Sequence, residues 1–284
     1  MIKVYWWHGG RGCGNFGDVL APRLCERLSG QPIEHAEPRR ADIIAVGSVL
    51  EPHLWSPGSW QQYRGVIWGA GRMFGVKPMA FPEARVVAVR GWLTLRKLAF
   101  RDKDLAVVGD PGLLCHLFAR VLPKKYKLGV VPHWSETDHP LVARLASRSS
   151  DVTVIDVCGP FQDVIDQVSQ CEYILSSALH GLVLADALAI PNEWLRLHSG
   201  KEDYIGLPEF KYRDYYSIYG LENKSYIELT AEDTLDTVLA RFGRSSRPGL
   251  RTIQRDLLEA FPFGKGQNGR CQPLCCRAAT RSGR

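Results

Sequence analysis

The chain has 284 residues, 45% of them hydrophobic, which is enough to bury a large core in one big domain or two ordinary ones, and we favour two. The net charge of +6 is localised, because residues 244–284 hold nine of the 36 basic residues but only two of the 30 acidic ones. The rest is nearly neutral and has no zinc-finger or aromatic-basic signature, which argues against nucleic-acid binding. No signal peptide and no membrane span of roughly 18 apolar residues is evident, so we expect a cytoplasmic protein.

Apolar runs of strand length alternate with amphipathic stretches, a pattern typical of parallel sheets covered by helices. In the first half, strands are predicted at residues 2–7, 43–48, 65–69, 86–89 and 105–108, and helices at 16–28 and 92–98. In the second half, strands are predicted at 128–131, 152–157, 173–176 and 194–197, and helices at 140–148, 161–169 and 182–189. The predicted fold class is therefore α/β.

A lysine- and proline-containing break, LPKKYK, divides the two series and predicts domains at residues 1–122 and 123–245. Residues 204–220 are too polar and aromatic for a central strand, so we predict a loop that packs near the cleft. Helices at 231–242 and 250–261 complete the fold, the second within a closing segment at 246–263. Residues 264–284 form a basic tail rich in glycine, arginine and cysteine, which predicts disorder.

The eight cysteines are spread over a chain without an export signal, so reduced thiols are expected. Cys271, Cys275 and Cys276 lie close together, but no paired CxxC and no histidine partner accompanies them. The sequence therefore predicts no metal site.

The segment GGRGCGNFGD follows the first predicted strand and opens a helix. Gly12, Gly14 and Gly17 have the spacing of a dinucleotide-binding loop, but the tight turn and a convincing acidic residue about 20 positions later are missing. Backbone N–H groups at a helix start still suit an anion. Asn15 and Asp18 have the spacing of a helix cap, while the carboxylate of Asp18 alternatively orients or deprotonates a hydroxyl nucleophile.

Three predicted strands in the middle of the chain end in polar residues. In VVAVRGWLTLRKL, Arg90 stands at a carboxyl end, where open α/β sheets bind ligands, and a guanidinium suits bidentate capture of phosphate or carboxylate. The alternative is an arginine paired with a nearby acid. In VGDPGLL, Asp110, Pro111 and Gly112 are good turn residues and require no further role. In VVPHW, His133 and Trp134 are candidates for the cleft wall.

The segment SSALHGLVLADALAIP joins a predicted strand to a nearly all-apolar, buried helix. Residues 177–181 are predicted to form the turn, with Ser176 or Ser177 as the helix cap. His180 then lies among free backbone N–H groups, either as a catalytic residue or as a neutral imidazole bonded to a backbone carbonyl. Asp186 is interpreted as structural.

Taken in order, NFGD, VRGWLTLRKL, SSALHGLVLADALAIP and KYRDYY resemble the polysaccharide pyruvyl transferase family over roughly residues 1–219. The resemblance implies an α/β fold of two Rossmann-like domains facing a cleft, similar to the GT-B glycosyltransferases, with the N-terminal domain on the acceptor side. It also implies transfer of pyruvate from phosphoenolpyruvate to hydroxyls of a sugar residue, as a cyclic ketal on an exopolysaccharide or cell-surface glycan. Phosphoenolpyruvate is then the donor substrate, and no separate cofactor is expected. A lipid-linked oligosaccharide acceptor would place the enzyme peripherally at the inner membrane.

The resemblance also assigns site residues, with Asp18, Arg90 and His180 at the matching positions. It implies His180 as the general acid, Arg90 as a ligand of the donor and Asp18 as the group that steers the acceptor. Addition of an alcohol to an enol carbon requires these residue types: a proton donor, a hydroxyl acceptor and cations for the donor's charges. The further candidates for substrate binding are Asn15, Gly17, Ser177, His133 and Lys211.

The chain departs from the family pattern at Ala178, where relatives often carry an arginine two residues before the histidine. Arg196, His198 and Lys211 are the alternatives for the second donor-binding cation. Rival functions are a nucleotide-sugar-dependent GT-B glycosyltransferase, a nucleotide-dependent oxidoreductase and a non-catalytic carbohydrate-binding relative.

Overall fold

The computed structural model describes residues 1–7, 15–56, 58–197, 209–243 and 246–264, which contain two main sheets. The first half supplies β1 (Ile2–Tyr5), β2 (Ile33–His35), β3 (Ile43–Ile44), β4 (Val66–Trp68), β5 (Met79–Ala80), β6 (Arg85–Val89), β7 (Leu98–Ala99) and β8 (Val107–Val108). The second half supplies β9 (Tyr126–Val131), β10 (Val152–Val154), β11 (Cys171–Ser176), β12 (Asn192–Arg196) and β13 (Ile227–Glu228).

The two main sheets are parallel throughout. Their strand orders are β2-β1-β3-β4-β6-β8 and β10-β9-β11-β12-β13, while β5 and β7 form a separate parallel pair. Parallel strands are covered on both faces and therefore read as continuous apolar runs, as in β6 and β9. The predicted α/β class is confirmed. Two domains facing a cleft, and the boundaries after residues 122 and 245, stay predictions.

The helices of the described residues are α1 (Phe16–Ser29), α2 (Trp92–Lys97), α3 (Pro140–Ser147), α4 (Phe161–Ser169), α5 (Leu179–Ala187), α6 (Glu209–Tyr216), α7 (Leu235–Leu239) and α8 (Leu250–Ala260). None of these described helices is long and apolar enough to cross a bilayer. The prediction of a short helix beginning at residue 182 was wrong, because α5 begins three residues earlier. The helix predicted at 231–242 was too long, since α7 forms only after the Thr234 capping box.

The loop predicted at residues 204–220 was also wrong over its described part. Residues 209–216 form α6, and Ser217–Tyr219 continue it as a 3-10 turn. This helix has no separate apolar stripe, because the polar side chains of Lys211 and Asp214 are buried together with three tyrosines. Its sequence therefore lacks the periodicity by which surface helices are recognised.

One apolar core connects the two main sheets. It contains Leu20 of α1 and Leu182 of α5, so helices from both halves of the chain share it. The rings of Phe16 and Phe161 stack at 5.3 Å between centroids where α1 packs on α4. The last helix, α8, returns to pack on β6 and β8. The start of α1 is thereby placed beside the start of α5.

Candidate active site

Polar side chains follow several strands of both sheets at their carboxyl ends, the edge where α/β proteins bind ligands. In the first sheet, Arg90 follows β6 and Asp110 follows β8. In the second, His133 lies two residues after β9 and Ser177 directly follows β11. Contacts between residues of the two halves, described below, join these positions into one cluster.

The N-terminal turn of α1 presents a carboxylate to this cluster. Asn15 is the N-cap as predicted, since its side chain accepts a hydrogen bond of 2.9 Å from the Gly17 N–H and donates one of 2.5 Å to Asp18 Oδ2. Burial raises the pKa of Asp18 to about 7, and hydrogen bonds from Asn15 and the charge of Lys211 oppose this rise only in part. A carboxylate that titrates near neutral pH is suited to accept a proton. The glycine-rich residues 9–14 lie outside the described residues.

His180 lies directly on Gly17. A Cβ added to Gly17 would stand 2.2 Å from His180 Nδ1 and 2.8 Å from its Cγ, so only glycine leaves room for the ring. His180 is the second residue of α5 and not part of the preceding turn. The imidazole of α5 and the carboxylate-bearing turn of α1 are therefore neighbours.

The prediction that Ser176 or Ser177 caps α5 was wrong, because the N-cap is Ala178 and no side chain caps it. The Ser176 hydroxyl lies 2.8 Å from Val131 O and accepts from the Ala178 N–H. The Ser177 hydroxyl donates to Glu136 at 2.5 Å. Both serines therefore connect α5 to β9 and the loop after it.

His133 and Ser177 form a small polar group with Glu136. The His133 N–H donates to Ser177 Oγ at 2.9 Å, and the His133 ring contacts the hydroxyl of Ser135 at 2.7 Å. Burial and the positive charge of Lys211 lower the pKa of His133 to about 3, so this imidazole is neutral at physiological pH. Burial raises the pKa of Glu136, and the hydrogen bond from Ser177 partly offsets that rise.

Lys211 reaches the same cluster from α6. Its side chain is buried, and burial together with the charge of Arg90 lowers its pKa to about 8, whereas Glu136 and Asp18 raise it. Across the described residues its ammonium nitrogen makes no hydrogen bond or ion pair and lies 5.1 Å from the centre of the Tyr212 ring. The ammonium is thus a buried cation that interacts electrostatically with two acids and one arginine.

Arg90 has a more enclosed position. It is 0% exposed, with Nε donating to Asp214 Oδ2 at 2.9 Å, Nη1 to Ser48 Oγ at 2.6 Å and Nη2 to the carbonyl of Arg72. Asp214 also accepts from the N–H and hydroxyl of Thr94, both at 2.7 Å. The arginine therefore ties the end of β6 to α6, as in the ion-pair alternative. Its role as a donor ligand stays a prediction.

Sequence reasoning missed Asp110, whose turn chemistry was considered sufficient. Its Oδ1 does accept from the Gly112 N–H at 2.8 Å. Its Oδ2, however, lies 3.6 Å from His180 Nε2, and neither atom has a hydrogen-bond partner in the part of the chain that the structure describes. The available signal was the position of Asp110 at the carboxyl end of a predicted strand.

The three alternatives for a cation that compensates for Ala178 have different surroundings. Arg196 donates to Glu209 at 3.0 Å and to the hydroxyl of Tyr226 at 2.6 Å, so it is already paired. His198 lies outside the described residues. Lys211 is the alternative that lies within the cluster.

Residues 80–198 match the family model described as polysaccharide pyruvyl transferase. This part of the chain is therefore similar to polysaccharide pyruvyl transferases. The family predicted from the sequence is thereby confirmed, and the match supports the transferase class. The matched region includes Arg90, Asp110, His133, Ser177 and His180.

Two curated proteins are similar to this chain in sequence. The succinoglycan biosynthesis protein ExoV of Rhizobium meliloti is 28% identical over 224 residues, which cover 78% of this chain and 66% of that protein. The uncharacterized protein L143 of Acanthamoeba polyphaga mimivirus is 28% identical over 166 residues, 57% of each chain. The alignments thus span less than two thirds of both relatives. A crystal structure of a functionally uncharacterized Klebsiella pneumoniae protein has a TM-score of 0.40 at 13% identity, covering 81% of this chain and 92% of that one.

Proposed function

We propose that this protein transfers pyruvate from phosphoenolpyruvate to two hydroxyls of a sugar residue, forming a cyclic ketal on an exopolysaccharide or cell-surface glycan. The observation that carries the proposal is the contact between the His180 ring and Gly17, which brings an imidazole beside the helix turn that bears Asp18. The family match supports the reaction class, and the succinoglycan biosynthesis relative supports a polysaccharide acceptor. The substrates would enter between the carboxyl ends of the two sheets.

In the proposed reaction, His180 as imidazolium donates a proton to the methylene carbon of the donor. The first sugar hydroxyl oxygen bonds to the adjacent enol carbon, and Asp18 accepts the proton of that hydroxyl. The second hydroxyl oxygen then bonds to the same carbon, and the bond between that carbon and the phosphate oxygen breaks. The second hydroxyl proton restores His180, and the proton on Asp18 passes to the released phosphate. The products are the ketal and inorganic phosphate, and both side chains regain their starting protonation states.

Lys211 is proposed to bind the phosphate or carboxylate of the donor in place of the arginine missing at Ala178. A buried ammonium without a described ion-pair partner gains strongly when an anion is placed beside it. Because its pKa is about 8, the ammonium is charged at neutral pH and loses its proton as the pH rises above that value. Donor affinity should therefore weaken through this range.

The function is tested by incubating the purified protein with acceptor glycans and either phosphoenolpyruvate or nucleotide sugars. Release of phosphate and a pyruvylated product with phosphoenolpyruvate only would support the proposal. Turnover with nucleotide sugars only would favour a glycosyltransferase. Glycan binding without turnover of either donor would favour a non-catalytic relative.

The donor site is tested with Lys211→Met, with Lys97→Met on the exposed face of α2 as the matched control. At pH 7 we expect the dissociation constant for phosphoenolpyruvate, measured by calorimetry, to rise at least about 10-fold in Lys211→Met only. At pH 9.5 the variant and the wild type should converge, because the lysine is then neutral. Equal affinities at pH 7 would exclude Lys211 as the donor-binding cation.

A lipid-linked acceptor and a peripheral membrane location remain proposals, tested by recovery of the protein on vesicles that carry such an acceptor.

A further inference from the structure

Asp110 is a buried carboxylate of which the proposed reaction has made no use. It is 0% exposed, and only Oδ1 is satisfied, by the N–H of Gly112 at 2.8 Å. Its Oδ2 faces His180 Nε2 at 3.6 Å, and both atoms are buried without a hydrogen-bond partner in the described parts of the chain. Burying two complementary polar atoms without partners is costly, so their mutual orientation requires an explanation.

Tight packing fixes the geometry of the pair from two sides. The 3-10 segment Pro111–Phe118 packs along α5, and a Cβ on Gly112 would stand 2.8 Å from Val183 Cγ1. On the other side, Gly17 contacts the edge of the His180 ring that contains Nδ1. The imidazole is therefore held with Nε2 towards Asp110 and Nδ1 towards the turn of α1.

Other ionisable groups lie around this pair. Burial and, to a smaller extent, the negative charge of Asp110 raise the pKa of Cys115 on the same 3-10 segment. Burial, with smaller contributions from Asp186 and Asp110, raises the pKa of Tyr219. Asp18 follows Gly17, the residue that contacts the His180 ring, and it interacts through its charge with Lys211 of α6. Among the described residues, Asp110 is the acid at ion-pair distance from the ring.

We propose that Asp110 is a positioning residue for His180: its Oδ2 pairs electrostatically with the protonated Nε2 of the ring and leaves Nδ1 as the nitrogen that delivers the proton to the donor. A carboxylate in this position stabilises the imidazolium and fixes its orientation, since a charge at 3.6 Å in a buried site acts with little screening. Asp110 does not touch the substrate and exchanges no proton with it. The inference deepens the proposed function and, for its kinetic part, rests on it.

Asp110→Asn is the discriminating variant, because the amide oxygen still accepts from the Gly112 N–H while the negative charge is removed. Asp110→Ala loses the turn bond as well and reports any purely structural contribution. The ring nitrogens of His180 are followed by 15N NMR and assigned by the signal that disappears in His180→Gln. The wild type should show the neutral ring protonated at Nε2, and Asp110→Asn should move its titration midpoint to lower pH. A wild-type ring protonated at Nδ1, or an unchanged midpoint in Asp110→Asn, would overturn the inference.

Kinetics supply the second readout. With phosphoenolpyruvate as donor, kcat of Asp110→Asn should fall about 10- to 100-fold at neutral pH with KM for the donor nearly unchanged. The alkaline limb of its kcat profile should shift to lower pH, because imidazolium is lost earlier. If Asp110 only stabilised the turn, Asp110→Ala would have a lower melting temperature. The kcat profile of Asp110→Asn would then be the same as that of the wild type.

The two hypotheses fail in different ways. If phosphoenolpyruvate is not turned over at all, the proposed function fails, while the NMR titration still decides whether Asp110 and His180 are coupled. If turnover is observed but the titration of His180 is the same in the wild type and in Asp110→Asn, the function stands and the positioning role is refuted.

Discussion

Replacing Asp18 by asparagine should stabilise the protein, and by more in alkaline than in acidic solution. The pKa of this carboxyl is raised from 3.8 to about 7, chiefly because the folded chain buries it. When the pKa of a group is higher in the folded than in the unfolded protein, the group stabilises the folded state fully at pH values below its unfolded-state pKa. This stabilisation is lost as the pH rises to its folded-state pKa. The window for Asp18 therefore runs from about pH 4 to pH 7.

A pKa difference of about 3 corresponds to at most about 4 kcal/mol, at about 1.4 kcal/mol per pH unit. Asp18 is only partly buried, so solvent screens some of this cost. We therefore expect Asp18→Asn to increase the free energy of unfolding by about 2 kcal/mol more at pH 8.5 than at pH 5. Asparagine has nearly the same shape and does not titrate, so packing changes enter equally at both values.

The measurement is urea unfolding of the wild type and Asp18→Asn at the two pH values, with Asp163→Asn as control. Asp163 occupies the same first-turn position in α4 but is exposed. Asp163→Asn should therefore change the free energy of unfolding by nearly the same amount at pH 5 and at pH 8.5. Equal effects of Asp18→Asn at pH 5 and pH 8.5 would refute the assignment of a raised pKa. The variant should also lose turnover if this carboxylate accepts the hydroxyl proton.

Gly17→Ala should reduce kcat about 100-fold in a phosphate-release assay, because its Cβ would stand 2.2 Å from His180 Nδ1 and displace the ring. Gly243→Ala, whose nearest contact would be 3.5 Å, is the control, and unchanged kcat in Gly17→Ala would contradict the placement of the imidazole. Asp214→Asn should lower the free energy of unfolding by about 3–5 kcal/mol in urea titrations, since it leaves the buried Arg90 guanidinium without its acid. A loss below about 1 kcal/mol would mean that the ion pair adds little.

Much of the fold and some of the candidate site were predictable from local sequence. Apolar runs indicated the buried strands, and polar residues after them indicated the ligand edge of the sheets. Asn15 was recognisable as a helix cap because its partner stands three residues away. Such features depend on neighbours in sequence, so pattern and spacing reveal them.

The rest depended on partners far away along the chain. Helix α6 was not recognised because Asp214 is buried against Arg90, 124 residues earlier, and no periodicity records such a partner. Asp110 was explained locally by its turn, and its second oxygen gained importance only when folding placed His180 opposite it.

The sequence by itself determined the α/β class, the family resemblance and the residue types at the strand ends, because these follow from local polarity, spacing and the order of motifs. Tertiary structure alone decided that His180 lies on Gly17 and faces Asp110, and that Lys211 is buried where it interacts with the charges of Arg90, Glu136 and Asp18. The physical reason is that electrostatic and packing energies depend on distance in space. The distances that matter here join helices and turns from both halves of the chain.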